Sequence, residues 1–333
     1  MVLRLQIRPY AFALTRALQT AAGAWQQRRG WLVRIEAPGG RCGWGEVSPL
    51  TLDQQLACSR WLAQQFNEVA KEAVVVASLE AVEQLLVSSP AEVAFALGAA
   101  LAELQGVVGE TSPLGWLAAP ASARLLPAGR AMPAALAELL AVLPADAALT
   151  VKWKVAAAAD GEERRLLARL LQLLPPQARL RLDANGGWTL PIAQQWADAL
   201  AAEPRLEWIE QPLAVDDLAG HQQLLAQLPV ALDEGLRHHP DWCSRWLGWQ
   251  VRRPALEGDP RPLLRELQQG VPHRMVSTAF ETGIGARWLA HLAALQQQGP
   301  TPAAPGLAPG WCPEDALFSS DPEEVWTAAG DAR

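Results

Sequence analysis

The strongest constraint on the fold is an alternation of short apolar strands with amphipathic helices, which begins near Ala123. This alternation is typical of βα units, in which helices cover a sheet of parallel strands. Eight strands with seven intervening helices predict an α/β fold, a (β/α)7β TIM-type barrel. The predicted strands lie at 123–127, 149–155, 179–183, 206–210, 229–233, 249–253, 273–277 and 303–307, and the predicted helices at 132–142, 160–173, 190–202, 216–226, 240–247, 260–268 and 284–297.

The chain before this alternation has a mixed pattern of strands and helices. Strands are predicted at 2–9, 31–37 and 41–47, a largely helical stretch from Ser48 to Ser88, and a buried helix at 90–104. We therefore predict three parts: an α+β capping domain at 1–118, the barrel at 119–309, and a C-terminal segment at 310–333 that packs back on the capping domain.

The polar segment from Leu18 to Gly30 contains two glycines and joins the first two predicted strands. It is long enough to be a mobile flap over a pocket, and an ordinary surface loop is the alternative.

Composition excludes several classes of function. The formal charge of −7 and the sequence pI near 5.4 argue against nucleic acid as a partner. No apolar run is long enough to predict a membrane span, and the first residues lack the apolar core of a signal peptide. The four cysteines are scattered without a C-x-x-C motif. We expect a cytoplasmic protein that acts on a small molecule, with monomer and homodimer both open.

The stretch L-T-V-K-W-K-V at 149–155 carries two lysines on one strand face. Strand alternation places Lys152 and Lys154 together and Trp153 on the opposite face. The next three predicted strands end in carboxylates, Asp183, Glu210 and Asp233. Because the carboxyl ends of barrel strands meet at one mouth, all five side chains are expected to converge there. The alternatives are a solvated lysine pair and acids that merely pair with Arg or Lys.

Three carboxylates at one mouth repel one another unless a cation lies between them. Carboxylate oxygens favour Mg²⁺, whereas zinc would call for His or Cys. Such a cation can stabilise the enolate that forms when a proton next to a substrate carboxylate is removed. We therefore predict metal ligands at Asp183, Glu210 and Asp233, a base at Lys154, and a cation at Lys152 that contacts the carboxylate or enolate oxygen.

On these and further motifs the chain resembles the enolase superfamily, in its muconate-lactonizing subgroup, and most of all the o-succinylbenzoate synthase family. The resemblance extends over essentially the whole chain. It is carried by G-W-G-E-V-S-P-L at 43–50, V-K-W-K-V at 151–155, D-A-N-G-G-W at 183–188, W-I-E-Q-P-L at 208–213, L-D-E-G at 232–235 and V-S-T-A-F-E-T-G-I-G at 276–285.

The resemblance implies a capping domain, a (β/α)7β barrel, and Mg²⁺ held at the three acids, with Mn²⁺ as a substitute. It implies Lys154 as the base in the syn-dehydration of 2-succinyl-6-hydroxy-2,4-cyclohexadiene-1-carboxylate to 2-succinylbenzoate, a step toward menaquinone or phylloquinone. N-acylamino acid racemase and dipeptide epimerase activities are alternatives from the same superfamily, and a non-catalytic scaffold is an alternative of another class.

The chain departs from the family at one position. Relatives carry a lysine on the sixth barrel strand before a proline, and here Arg253 stands in Q-V-R-R-P-A-L. Arginine stays protonated and cannot act as a base, which argues against racemases and epimerases because they need a base on each face of the substrate. Dehydration needs only Lys154, and Arg253 is expected to lie over the substrate ring as a cation. The alternative is that Arg252 faces inward instead.

The remaining candidates are substrate contacts. Asn185 is expected either near the ligands or as a loop cap. Ser277 and Thr278 offer hydroxyls, and Gly283 and Gly285 open a helix whose N-terminus favours an anion; ordinary loop-to-helix chemistry is the alternative for all four. Arg28 is expected either to attract an anionic substrate or to be solvent-exposed.

Overall fold

The computed structural model describes residues 2–20, 23–66, 73–144 and 147–331. These residues form two compact units. The first comprises 1–120, 252–272 and 276–333, and the second comprises 121–251 and 273–275. This division differs from the sequence-based one, which assigned all of 119–309 to the barrel.

The first unit is built on a four-stranded sheet in the order β3-β2-β1-β4. Its pairings are antiparallel, and Leu3, Leu5 and Ile7 on β1 alternate into the core. Helices α1, α2 and α3 belong to the same unit. The bounds are β1 Val2–Thr20, β2 Gly23–Glu36, β3 Cys42–Val47, α1 Leu52–Phe66, β4 Ala73–Ser78, α2 Leu79–Ser88 and α3 Ala91–Leu104.

Two glycines allow α3 to lie directly on β3. A Cβ atom on Gly43 would lie 1.9 Å from the backbone oxygen of Ala100, and one on Gly45 would lie 1.9 Å from that of Ala96. Any side chain at either position would therefore push the helix off the sheet. The alanine-rich α3, buried along nearly its whole length, is the matching partner for this close approach.

Two predictions for the first unit are corrected by the structure. The described residues of 18–30 are not a loop, because β1 and β2 pair from Arg4↔Glu36 to Thr20↔Gly23 as one long hairpin. Residues 21–22 lie outside the described residues. The stretch from Ser48 to Ser88 also contains a strand, since the β-branched run A-V-V-V-A-S forms β4 against β1.

The second unit carries the βα alternation. Strands β5 to β11 form one sheet in chain order, and the pairs from β5 to β10 are parallel. Buried tryptophans are prominent in its helix-facing core, where the rings of Trp188 and Trp196 stack at 4.8 Å. The strands are β5 Arg124–Leu126, β6 Thr150–Lys154, β7 Arg179–Asp183, β8 Leu206–Glu210, β9 Val230–Leu232, β10 Trp249–Arg252 and β11 Arg274–Val276.

The helices of the alternation follow the predicted positions closely, and α4 and α5 have the predicted bounds. The helix predicted at 240–247 is shortened to α9, and a further short helix, α8, precedes it. The bounds are α4 Met132–Val142, α5 Asp160–Leu173, α6 Leu190–Leu200, α7 Leu218–Leu225, α8 Glu234–His238, α9 Trp242–Arg245, α10 Arg261–Gln268, α11 Gly283–Gln298 and α12 Pro322–Asp331.

The predicted eighth strand at 303–307 is reduced to a single parallel bridge, Ser277↔Gly306. The backbone N–H of Gly306 donates to Val276, and that of Thr278 donates to Gly306. Pro302 and Pro305 have no N–H, so this segment cannot extend a hydrogen-bonded ladder.

The C-terminal segment contacts the first sheet. The backbone N–H of Thr15 donates to the carbonyl of Trp311, and the guanidinium of Arg8 donates to the carbonyl of Trp326 at 2.7 Å. Arg8 also lies 4.5 Å from the centre of the Trp326 ring, and that ring packs edge-on against Trp44. Among the described residues, no helix combines the length and the apolar character needed to span a bilayer.

Candidate active site

The sheet register brings the predicted site residues of the second unit into one row. Lys154 pairs with Asp183, Asp183 with Glu210, and Glu210 with Ala231, all at the carboxyl edge of the sheet. Asp233 follows directly after β9. Lys152 lies two residues below Lys154 on the same strand, with Trp153 in the core on the opposite face.

Lys152 lies between two of the acids. Its Nζ is 2.8 Å from Oδ2 of Asp183 and 2.6 Å from Oε1 of Glu210. Burial opposes the ammonium, but the carboxylates of Asp183, Glu210 and Asp233 together outweigh burial and raise the pKa of Lys152. This arrangement favours the ammonium form of Lys152.

Glu210 is buried completely and only half satisfied. Its Oε1 accepts from Lys152, while its Oε2 is buried without a hydrogen-bond partner among the residues that the structure describes. Burial, with added repulsion from Asp183 and Asp233, raises the pKa of Glu210 to about 7 against the opposing charge of Lys152. An unpartnered carboxylate oxygen in this setting is costly unless something positive binds it.

Further polar groups surround Asp233. Arg237 lies 3.5 Å from Oδ1 of Asp233 and 3.7 Å from Oε1 of Glu234. Burial and the charges of Asp233 and Asp183 raise the pKa of Glu234. Asn185 ties two of the strand ends together, since its backbone N–H donates to Asp183 at 3.1 Å and its side-chain amide donates to Glu234 at 3.1 Å.

Within the ranges that the structure describes, no three or more His, Cys, Asp or Glu side chains lie close enough together to form a ready cation site. We attribute this to Lys152, whose ammonium lies between Asp183 and Glu210. The donor set still fits a hard cation, because it consists of carboxylate oxygens and includes the unpartnered Oε2 of Glu210.

Lys154 differs from Lys152 in its contacts. Across the described part of the chain, no hydrogen bond or ion pair to its Nζ is found, and its side chain is half-buried. One lysine of the pair is thus held by acids, and the other is available for proton transfer.

The turns after the functional strands are held by polar side chains that the sequence analysis did not single out. Glu163 on α5 accepts hydrogen bonds from the backbone N–H groups of Ala156, Ala157 and Ala158, just after Lys154. Ala156, Asn185 and Gln211 follow β6, β7 and β8 with φ values of 59°, 43° and 39°. This left-handed conformation is unfavourable for residues with a Cβ and persists only where neighbours enforce it.

In the first unit, Arg253 donates to the carbonyl of Thr278 at 2.6 Å. Its neighbour Arg252 pairs with Glu257 at 2.6 Å and with Glu266 on α10 at 3.3 Å. Arg252 is therefore committed to ion pairs with these two acids. The prediction that Arg253 contacts substrate stays a prediction.

The hydroxyls of Ser277 and Thr278 are engaged in local bonds. Ser277 donates to the carbonyl of Gly306 at 3.3 Å, and Thr278 donates to Glu281 at 2.5 Å. The hydroxyl of Thr278 also accepts from the backbone N–H of Phe280. The loop-to-helix alternative describes these contacts, and a substrate role for either residue stays a prediction.

The anion at the N-terminus of α11 is a carboxylate of this chain. Glu46 on β3 accepts from the backbone N–H groups of Thr282 at 2.9 Å and Gly285 at 2.9 Å, and from the Thr282 hydroxyl at 2.6 Å. A Cβ on Gly283 would lie 1.9 Å from the carbonyl oxygen of Ser319. Both glycines permit close packing, and Glu46 occupies the helix terminus, so the loop-to-helix alternative describes these contacts. A substrate role for Gly283 and Gly285 stays a prediction.

The solvent-exposed alternative for Arg28 is wrong, whereas its role in attracting an anionic substrate stays a prediction. Its side chain is buried at 2 % exposure, so it is not a solvent-exposed cation. The guanidinium donates to the carbonyls of Pro49 and Ala279 at 2.6 Å each and to the hydroxyl of Ser48 at 3.0 Å. Because the long hairpin alternates, Arg28 lies on its covered face while Gln27 and Arg29 are exposed.

Comparison with known proteins gives consistent matches. Residues 135–244 match the family described as "Enolase C-terminal domain-like". The o-succinylbenzoate synthase of Thermosynechococcus vestitus is 32% identical over 312 residues, which cover 87% of this chain and 88% of that protein. The o-succinylbenzoate synthase of Haemophilus influenzae is 27% identical over 85% of this chain and 82% of its own length.

Solved structures give the same result. The o-succinylbenzoate synthase of Thermosynechococcus elongatus, complexed with Mg in the active site, superposes with a TM-score of 0.77 at 28% identity, covering 98% of this chain and 99% of that one. The L-Ala-D/L-Glu epimerase of Bacillus subtilis has a TM-score of 0.70 at 21% identity over 94% of this chain and 91% of that one, a likeness of fold alone.

Proposed function

The chain belongs to the o-succinylbenzoate synthase family of the enolase superfamily, and from this premise we propose that it catalyses the syn-dehydration of 2-succinyl-6-hydroxy-2,4-cyclohexadiene-1-carboxylate to 2-succinylbenzoate. The observation that carries the proposal is the pair of unlike lysines on β6. Lys152 is fixed between Asp183 and Glu210, and Lys154 has an unengaged amine among the described residues.

We propose that Asp183, Glu210 and Asp233 hold Mg²⁺, for which Mn²⁺ is expected to substitute. When bound, the cation supplies positive charge that stabilises the enolate form of the substrate carboxylate. The unpartnered Oε2 of Glu210 and its pKa of about 7 support this role. A divalent cation would bind that oxygen and favour the charged form of the buried carboxyl.

Lys154 is the proposed base. Its neutral amine takes the proton from the ring carbon that carries the carboxylate, and the resulting ammonium returns that proton to the departing hydroxide as water. Because Lys154 both accepts the proton and returns it, proton and hydroxide leave from the same face, and the ring becomes aromatic. Lys152 remains protonated and favours the negative charge that develops beside it.

The proposal is tested by following aromatisation of the cyclohexadiene substrate through its absorbance change, with and without EDTA. Turnover should require the divalent cation and return when Mg²⁺ is added. A protein that is folded and binds Mg²⁺ but leaves the substrate unchanged would contradict the proposal, and so would a rate unaffected by EDTA.

Lys154→Ala is expected to abolish turnover while the protein stays folded, because the variant removes the only proposed proton acceptor. Circular dichroism serves as the folding control. Near-normal kcat in this variant would show that the base is assigned to the wrong residue.

The racemase and epimerase alternatives are separated by isotope exchange. They need a base on each face of the substrate, and Arg253 stays protonated where relatives carry lysine. In D₂O, N-acylamino acids or dipeptides should therefore undergo no inversion. Deuterium incorporation with inversion of both L- and D-substrates would favour the alternative.

A further inference from the structure

Gln211, the residue directly after Glu210, is buried completely and has both ends of its amide engaged. Its Nε2 donates to the carbonyl of Leu213 at 3.1 Å. Its Oε1 accepts from the backbone N–H groups of Asp233 at 3.2 Å and Gly235 at 3.0 Å. The side chain thus links the end of β8 to the turn after β9.

His221 on α7 fixes which way this amide points. Its Nδ1 lies 2.6 Å from the carbonyl of Asp217, so Nδ1 carries the proton and Nε2 is an acceptor. That Nε2 accepts from the backbone N–H of Leu213 and lies 3.3 Å from Nε2 of Gln211. An acceptor facing the NH₂ group leaves the oxygen of Gln211 directed at Asp233 and Gly235.

A comparison of helices α7 and α8 shows which capping group the Gln211 oxygen replaces. Asp217 precedes α7, and its carboxylate accepts from the N–H of Gly220 at 2.8 Å, as an aspartate at a helix N-terminus usually does. Asp233 precedes α8 in the same position, yet in the described part of the chain its carboxylate accepts no capping bond from α8 and has other interactions. At α8 the N–H of Gly235 is satisfied by Gln211 instead.

We propose that Gln211, oriented by His221, is a positioning residue that caps α8 in place of Asp233 and so directs the Asp233 carboxylate to the metal. The inference rests on the proposed function, because it concerns the Mg²⁺ of that site. Without Gln211, the cheapest way to satisfy the N–H of Gly235 is for Asp233 to rotate into the capping position, as Asp217 does.

The test compares Gln211→Met with Gln296→Met, a matched change at another buried glutamine, whose amide donates to Thr301 at 2.8 Å. Isothermal titration should show Mg²⁺ bound about 10- to 100-fold more weakly by Gln211→Met. Gln296→Met should bind like the unaltered protein. In metal-free protein, hydrogen exchange at 233–238 should change little, because Asp233 takes over the capping role.

Gln211→Glu tests the contribution of the capping oxygen separately from that of the NH₂ group. It keeps an acceptor toward Asp233 and Gly235, but its second oxygen faces the Leu213 carbonyl and the acceptor of His221. It should therefore recover part of the affinity that Gln211→Met loses. Saturating Mg²⁺ should also restore the kcat of Gln211→Met, since positioning affects metal binding more than the proton transfer.

Three results would overturn the inference: unaltered Mg²⁺ affinity in Gln211→Met, equal losses in Gln296→Met, or a Gln211→Glu variant as weak as Gln211→Met. The proposed function fails separately, because it would be contradicted by an unaltered protein that binds no Mg²⁺.

Discussion

Glu46 and Glu210 are both carboxylates at 0 % exposure, and burial raises the pKa of each. They differ in how their oxygens are satisfied. Glu46 accepts from the only tyrosine of the chain, Tyr10, at 2.6 Å and from the N–H groups and hydroxyl at the start of α11. Glu210 accepts from Lys152 alone and leaves Oε2 unpartnered.

The difference distinguishes a buried acid that builds structure from one that is prepared for a ligand. Every oxygen of Glu46 faces protein donors, so the folded chain itself compensates its desolvation. The folded chain compensates Glu210 only in part, and a bound cation would complete the compensation. Burial and a raised pKa are common to both residues, so neither property identifies the active site by itself.

Among the substitutions that test this comparison, Glu210→Gln has the largest expected effect. Losing a ligand should remove several kcal/mol of transition-state stabilisation, which corresponds to roughly a 10³-fold fall in kcat/KM. The metal-free protein should unfold at the same or a higher temperature, because the substitution removes a buried carboxylate with an unpartnered oxygen. A thermal melt in EDTA checks this, and a large drop in Tm would place Glu210 in the same class as Glu46.

Glu46→Gln should instead destabilise the fold and leave Mg²⁺ binding unchanged. Its amide NH₂ would face donors at Thr282 and Gly285, and this mismatch should lower the free energy of unfolding by about 3 kcal/mol. Urea titration measures the loss. Tyr10→Phe is the graded control, since it removes one donor and should cost about 1 kcal/mol. Mg²⁺ affinity should be unchanged in both variants, and weakened binding would contradict the distinction.

Arg253→Lys should have the smallest effect. Arg253 already donates to the carbonyl of Thr278, and lysine keeps the positive charge that dehydration is proposed to use. Activity should be retained or increased, with about 1 kcal/mol of stability lost with the hydrogen bond. Steady-state kinetics and a thermal melt check both values. Complete loss of turnover would mean that the planar guanidinium itself is required.

The second unit could be predicted in most of its elements because its signals are local. Each strand is a short apolar run. Helix α4 has Pro133 in its first turn, and helix α6 has Pro191. The carboxylates follow strands whose ends must meet at one edge. The row formed by Lys154, Asp183 and Glu210 follows from parallel register alone.

The first unit was harder to predict because its features depend on distant partners. The polar residues of 18–30 suggested a loop, yet two paired strands can carry polar side chains on an exposed face. Glycines at 283 and 285 suggested an anion site, but Glu46, far away in sequence, occupies that helix end. Prolines at 302 and 305 were the local sign that the eighth strand would be short.

Gln211 shows the same limit inside the second unit. Its place beside Glu210 in W-I-E-Q-P-L was visible in the sequence, but its partners Asp233 and Gly235 come from the next βα unit, and His221 comes from the helix that follows ten residues later. Without coordinates, a buried amide after a carboxylate does not reveal which backbone groups it will satisfy.

The division of the first unit into separated stretches has a consequence for synthesis. Residues 1–120 are translated before 276–333, with which they form one compact unit. The intervening 121–251, which contain most of the other unit, are synthesised while 1–120 still lack these partners. An incomplete unit exposes apolar surface that the finished fold covers, so 1–120 are expected to be the part of the nascent chain most prone to aggregate.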